Sequence, residues 1–463
     1  MHKLQCVSPV DGRVYVERPL ADDNTIDAVV NRALAAQSTW SQTPLAARQT
    51  VLEKAVSAFV EHKARIAEEL TWMMGRPISQ TPGEINGFEE RARFMIAAAS
   101  DALMPFDPGP KANFKRYIAH EPLGLVVVIA PWNYPYLTAV NAVIPALAAG
   151  NTVILKHSHQ TPLCAERLAQ AFDEAGLPNG VFQFLHLSHA DTAKLIAEPS
   201  VQGVCFTGSV EVGHAVQHAL KDKFVAAGLE LGGKDPAYVR ADADLSHAIE
   251  NLIDGAMFNS GQSCCGIERI YVHERLFDDF VGGSIELARK YRLGDPTLAE
   301  TNLGPMVRAT AAAFVRGQIS DAVEAGAKAL IDPKYFPADA PGTPYLAPQI
   351  LIDVNHTMRF MREEPFGPAV GIMKVAGDDE AVALMNDSPY GLTAAIWTND
   401  VEAAASLGAR IDTGTVFMNR CDYLDPALAW TGVKDTGRGC TLSALGYAQL
   451  TRPKSYHLRL ETR

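Results

Sequence analysis

Apolar residues recur at three- and four-residue spacing through "IDAVVNRALAAQSTW" and "AARQTVLEKAVSAFVEHKARIAEELTWMM", which predicts helices across residues 26 to 72. A further helix is predicted over "GEINGFEERARFMIAAASDALM", and "GPKANFKRYIAHEPLG" then interrupts the period as an extended, polar stretch. From residue 124 short apolar runs alternate with helical segments. "GLVVVIAP" reads as a buried strand from its β-branched content, "YLTAVNAVIPALAAG" as a helix closed by Gly150, and "NTVILK" as the next strand. "TPLCAERLAQAFDEAG" reads as a helix capped by Thr161 with Pro162 behind it. The alternation continues through "GVFQFL", "DTAKLIAEP", "VQGVCFTG", "EVGHAVQHAL" and "FVAAGLELGG", giving at least four strand–helix units. Such a series predicts a parallel, doubly wound sheet. Beyond residue 232 a second α/β region begins, with helices at "DLSHAIENLIDGAMFN" and "FDDFVGGSIELARKY" and strands at "IERIYVH", "AVGIMKV", "LTAAIWT" and "TGTVFMN".

At 463 residues the chain is too long for one compact core, and no Pro/Gly/Ser-rich linker separates its halves, so close-packed domains sharing a cleft are expected. The net charge of −12 is dispersed without a run of five like charges, which argues for a small molecule as partner and against nucleic acid. The N-terminus lacks a continuous apolar region, and the most apolar later stretch, residues 123–150, is broken by three prolines and two asparagines; neither export nor membrane insertion is expected. Seven irregularly spaced cysteines, with no Cys-x-x-Cys, suit free thiols in a reducing cytoplasm, and no metal site is expected.

Three stretches carry candidate chemistry. In "FTGSVEVGHAV" a turn joins strand to helix, with Gly208 and Gly213 at a spacing unlike the usual dinucleotide fingerprint. Gly208 permits close backbone approach, and Ser209 with the free N–H groups of the next turn suits either a phosphate or plain helix capping. Lys156, at the carboxyl end of a strand, reads either as a second contact to the same ligand or as a solvated lysine.

"FNSGQSCCGIE" places Cys264 and Cys265 at a loop-to-strand junction. A thiol there is either a nucleophile or a small buried hydrophobe. Glu230, a lone carboxylate ending an apolar strand ahead of Gly232-Gly233, gains a raised pKa from burial and becomes a candidate base; a cap or a salt bridge is its other reading. Asn133, held between two prolines in "APWNYP", is a candidate donor to a developing oxyanion.

Taken in order, "PWNYP", "FTGSVEVG", "LELGGKDP", "FNSGQSC" and "EEPFGP" resemble the aldehyde dehydrogenase superfamily, and the helical start and "TGVKDTGRG" extend the likeness over nearly the whole chain. The family pattern Gly-Gln-x-Cys selects Cys264 over Cys265. The resemblance implies that Cys264 attacks an aldehyde carbonyl, that Asn133 and the Cys264 backbone N–H hold the oxyanion, and that Glu230 activates the water releasing the acid. It implies NAD or NADP as cofactor, with Lys156 at the adenosine ribose, Ser209 at the pyrophosphate within the Gly208–Gly213 turn, and Glu364 and Phe366 at the nicotinamide ribose. Trp132 and Gly232 line the same path. The implied fold is α/β: a doubly wound parallel-sheet cofactor domain over residues 1–103 and 123–231, a second α/β catalytic domain over 232–451, and a small β oligomerisation arm from 104–122 and 452–463. A homodimer is expected, with a tetramer open.

The chain departs from the family at instructive places. His159 stands where NAD-preferring members carry an acid three residues after the lysine, so NADP is expected to be tolerated or preferred. Ser263 replaces a cysteine found in several relatives. Thr138 and Asn141 make the substrate tunnel more polar. Near the pocket mouth, Tyr423 reads as a contact for an anionic or aromatic aldehyde, and Arg420 as a surface or interface ion pair ahead of that role. Two alternatives remain: a CoA-acylating relative, against which Glu230 speaks, and a non-catalytic binding protein on the same fold, against which Cys264, Glu230 and Asn133 together speak.

Overall fold

The computed structural model describes residues 2–461; residue 1, and residues 462 and 463 of the expected C-terminal arm, lie outside the described residues. The run "LVVVIA" forms the strand Leu125–Ala130 with every residue buried. Val126, Val128 and Ala130 feed one core and Leu125, Val127 and Ile129 another, the period-2 alternation of a strand covered on both faces. Around it the sheet runs Ala227–Glu230, Val201–Thr207, Leu125–Ala130, Thr152–His157, Phe182–Phe184, all parallel. Chain order reverses between Leu125–Ala130 and Val201–Thr207, so a crevice opens beyond their carboxyl ends. The short strand Gly437–Arg438 returns from the far end of the chain to pair antiparallel with Ala227–Glu230.

A second sheet holds six parallel strands, in the order Gln349–Ile352, Ala369–Val375, Ile267–His273, Asp235–Val239, Thr393–Trp397, Thr415–Met418, with Lys328–Ala329 antiparallel at one edge. It too separates two cores: Ala237, Val239, Ile270 and Val272 face one, Tyr238, Tyr271, Ala394 and Ile396 the other. An interior strand, Asp235–Val239, is absent from the sequence-based expectation. Pro236 and Asp235 read locally as turn residues, and burial of the whole "DPAYV" run overrides that preference.

Two other expectations need correction. The single long helix predicted over residues 46–74 is two, Leu45–Glu61 and Lys63–Met74, divided at His62, whose φ/ψ of −89°/8° breaks the helix while its ring is held by Glu174 at 3.1 Å. Thr161 precedes the helix Pro162–Glu174 without capping it; its hydroxyl meets His157 Nδ1 at 3.1 Å. Residues 114–122 are extended as predicted, and Phe114–Pro122 pairs antiparallel along its length with Thr451–Arg459. Phe114 stacks on His457 and Tyr117 on Tyr456 across this ribbon. No described helix is long and apolar enough to cross a membrane.

Candidate active site

The loop before Cys264 is strained and tied down on every side. Asn259, Ser260 and Gly261 take left-handed φ values of 52°, 55° and 68° in succession, at about 1–2 kcal/mol for each of the first two. Gly261 must be glycine, since a Cβ would lie 2.2 Å from the Gly367 carbonyl oxygen. Buried side chains compensate. Asn259 Oδ1 accepts from Arg76 Nε at 3.1 Å, Ser260 Oγ donates to the Gly304 carbonyl at 2.8 Å, and Gln262 Oε1 accepts from Val307 N–H at 2.8 Å. Arg76 is itself fixed by an ion pair with buried Glu84 and a bond to the Asn133 carbonyl. Glu84 in turn accepts from the N–H groups of Tyr136 and Leu137, at 2.9 and 3.1 Å, at the start of the helix Pro135–Ala148. Strain concentrated on a loop that ends in a cysteine marks a functional turn.

Cys264 is half-buried, whereas Cys265 is fully buried. The Cys265 thiol is pushed well up by its hydrogen bond to Cys264, then by burial and the Asp422 charge, and it donates to Asp422 Oδ1 at 3.0 Å. Burial raises Asp422 itself to about 6. Cys265 is thus held as a thiol, which leaves Cys264 as the reactive neighbour. Cys264 opens on a cavity of about 450 Å³ whose walls also carry Arg91, Asn141, Glu230, Asp422 and Trp430. Its backbone N–H has no hydrogen-bond partner among the described residues.

Glu230 ends its strand facing this cavity, and burial raises its carboxyl above the ordinary value against hydrogen bonds from Thr441 and Thr207 and the Arg91 charge. Thr441 Oγ1 donates to it at 2.5 Å and Thr207 Oγ1 at 2.9 Å. Asn133 is buried with its Nδ2 donating to the Gln262 carbonyl at 3.2 Å, so one N–H is already engaged and the other is available. Gly233 lies in the link between the two sheets at a close approach, since a Cβ there would lie 2.2 Å from the Cys264 carbonyl oxygen.

The expected cofactor residues divide into two groups. Lys156 is 6% exposed, without a hydrogen-bond partner among the described residues, and burial lowers it to about 8. An unpartnered ammonium so placed, at the carboxyl edge of the first sheet, fits a ribose or phosphate. Trp132 and Phe366 meet edge to face at 5.7 Å, Phe366 in a left-handed conformation. Glu364 accepts from Gly233 N–H at 3.0 Å, and burial with the neighbouring Glu268 charge raises it to about 8. A Cβ on Gly232 would lie 2.6 Å from Glu364 Oε2. Ser209 caps the helix Val210–Ala219, accepting from Val212 N–H.

The other group is placed by packing. A Cβ on Gly208 would strike the Phe206 ring at 2.4 Å, and on Gly213 the Leu231 side chain at 2.8 Å, so both glycines permit close packing beside the turn. The His159 ring donates from Nε2 to the Leu187 carbonyl at 2.6 Å, and burial lowers its pKa. Burial thus disfavours its charged form, so what His159 offers a 2′-phosphate is the absence of an acid's charge. Arg420 makes no ion pair among the described residues; its guanidinium lies 3.5 Å over the Tyr423 ring, whose hydroxyl donates to Glu90 at 3.0 Å. His214 and His218 stand one turn apart on the helix Val210–Ala219, but no group of three or more possible metal ligands occurs among the described residues.

Arg76, Glu84, Thr207, Gly233 and Thr441 went unassigned in the sequence reading. Gly233, inside "LELGGKDP", and Thr207, ending a strand inside "FTGSVEVG", carried a local signal; Thr441 lies in a loop whose partner is 211 residues away, and Arg76 and Glu84 pair across a helix start.

Similar proteins share this architecture along their full length. The chain is 34% identical to a succinate-semialdehyde dehydrogenase (NADP(+)) of Deinococcus radiodurans, over 97% of this chain and 93% of that one. It is 33% identical to a 3,6-anhydro-alpha-L-galactose dehydrogenase of Streptomyces coelicolor, over 98% and 93%. The crystal structure of an NADP-dependent glyceraldehyde-3-phosphate dehydrogenase from Bacillus halodurans, complexed with NADP, superposes with a TM-score of 0.93 at 30% identity, covering 99% of this chain and 96% of that one. The sequence profile described as "Aldehyde dehydrogenase family" matches residues 1–456, and with the fold and the strained cysteine loop in place the chain belongs to the aldehyde dehydrogenase family.

Proposed function

We propose that the protein oxidises an aldehyde to its carboxylic acid with NAD or NADP, through an acyl group carried on Cys264. The observation that carries this reading is that Cys264 and Glu230, from opposite sides of the junction between the sheets, face one cavity. The Cys264 thiolate adds to the aldehyde carbon, and the carbonyl electron pair moves to oxygen. Asn133 Nδ2 and the Cys264 backbone N–H donate to that oxyanion. A bound nicotinamide supplies the acceptor for the hydride. Glu230 takes a proton from water, the hydroxide adds to the acyl carbon, and the Cys264 sulfur leaves as thiolate. Thr441 and Thr207 orient the Glu230 carboxyl for this step.

Lys156 and Ser209 would hold the adenosine side of the cofactor, and Glu364, Gly232, Phe366 and Trp132 the nicotinamide side. With no acid at position 159 to repel a 2′-phosphate, NADP is the preferred form, and several relatives carry NADP in their names. Residues 1–103 with 123–231 act as the cofactor domain, 232–451 as the catalytic domain, and 104–122 with 452–463 as the arm of a homodimer. Seven free cysteines favour a cytoplasmic setting.

The test is absorbance at the reduced-nicotinamide band with a panel of aldehydes, with NAD and NADP at matched concentrations, and with and without CoA. Expected are acid formation without CoA and a higher kcat/KM with NADP; strict NAD dependence overturns the cofactor preference, and silence across the panel overturns the enzymatic reading. Cys264→Ala abolishes turnover while retaining cofactor binding.

A further inference from the structure

Arg91 is a buried guanidinium on the cavity wall that makes no ion pair among the described residues, although the charges of Glu84, Glu230 and Glu90 partly offset its burial. Glu84, Gly87 and Arg91 fall at i, i+3 and i+7 on the helix Thr81–Ala102, so they share one face. That face lies against Pro135–Ala148 because Gly87 lets the helices meet; a Cβ there would sit 2.7 Å from Leu137 Cδ2. The close approach brings Arg91 Nη1 to the Leu137 carbonyl at 2.7 Å and to Asn141 Oδ1 at 3.5 Å. Nε and Nη2 have no hydrogen-bond partner among the described residues, although the side chain is 8% exposed and lines the cavity with Cys264.

The neighbouring carboxylates are committed elsewhere. Glu84 is bound to Arg76 and two helix N–H groups, Glu90 accepts from Tyr423, and each Glu230 oxygen accepts from a threonine. A buried charge without a partner is costly, and the free Nε–Nη2 edge of a guanidinium presents two parallel donors that match a carboxylate.

We infer that Arg91 is the specificity-determining residue of the site, receiving the carboxylate at the far end of an aldehyde whose carbonyl reacts at Cys264. This rests on the aldehyde-oxidising reading above. The substrate class is then a short semialdehyde. Thr138 and Asn141 line the same cavity, Asn141 beside Arg91.

The experiment compares succinate semialdehyde with butanal, which has the same four-carbon chain without the charge, for wild type, Arg91→Met and Arg91→Lys. The kcat/KM ratio of semialdehyde to butanal should fall about 10- to 100-fold in Arg91→Met, the range for loss of hydrogen bonds to a charged group, and less in Arg91→Lys, which keeps the charge without the fork. By calorimetry, succinate should bind the cofactor-free wild type and not Arg91→Met. Parallel losses for both aldehydes, or an unchanged ratio, overturn the inference and leave Arg91 a structural residue. If Arg91→Met does not fold, Arg91→Lys decides by the same ratio. Wild-type protein that oxidises neither aldehyde, nor any other of the panel, overturns the enzymatic reading instead.

Discussion

Replacing Gly233 by alanine tests the proposed chemistry without touching any group that takes part in it. The new Cβ would stand 2.2 Å from the Cys264 carbonyl oxygen, where ordinary contact begins near 3.4 Å, so about 1.2 Å must be found. The clashing atom is backbone, and no rotamer change relieves it. Upstream the loop is pinned by Ser260 on Gly304 and Gln262 on Val307, so the displacement falls on Cys264 itself. A shift of about 1 Å in a reacting atom costs roughly 100-fold in rate, and overpacking of this kind about 1–3 kcal/mol in stability. Stopped-flow measurement of the reduced-nicotinamide burst, with a thermal midpoint beside it, separates the two effects. Gly232→Ala is the control: its Cβ meets the far end of the Glu364 side chain at 2.6 Å, which can move, so the effect should appear in the KM for cofactor more than in the burst. A folded Gly233→Ala protein whose burst rate lies within about threefold of wild type would refute the reasoning.

Three further outcomes follow from the same geometry. Glu230→Gln should retain a burst of one reduced nicotinamide per site but slow later turnovers; in the wild type, acyl release should fail as pH drops through a value above the usual carboxylate range, because burial raises Glu230 and its protonated form cannot act as base. Glu364 stands at about 8 against an ordinary 4.5, so the native state binds a proton that the unfolded chain releases. Its contribution to stability is therefore complete below pH 4.5 and lost as pH rises to about 8; Glu364→Gln should raise the thermal midpoint relative to wild type at pH 8 and change it little at pH 5. Glu84→Gln leaves the Arg76 guanidinium buried and unpaired, at about 3–5 kcal/mol, and chemical denaturation should register that loss.

Much of the fold was legible because local patterns and tertiary burial agreed. Leu125–Ala130 is β-branched and apolar throughout, so its reading as a strand covered on both faces needed no knowledge of its neighbours. The strand Asp235–Val239 was illegible for the opposite reason: its first residues favour a turn in isolation, and only the flanking strands Ile267–His273 and Thr393–Trp397 make it an interior strand of a sheet. At the site, Cys264, Glu230 and Asn133 sit within recognisable local motifs. Arg91 does not, since one arginine in an amphipathic helix is unremarkable until Gly87 presses that helix onto Pro135–Ala148.

The sequence by itself determined the alternating strand–helix plan and the adjacent cysteines at a loop-to-strand junction, because each depends on residues close together in the chain; the choice of Cys264 and the kind of cofactor came from a family resemblance carried by motifs spread from residue 131 to 368. Tertiary structure alone decided that Cys265 is held as a thiol between Cys264 and Asp422, the latter 157 residues away, that burial disfavours the charged form of His159 beside the Leu187 carbonyl, and that Arg91 faces the cavity without an ion pair among the described residues. Protonation state and free valence depend on which distant groups burial brings within hydrogen-bonding range, and on how far water is excluded there; neither quantity has a local signature along the chain.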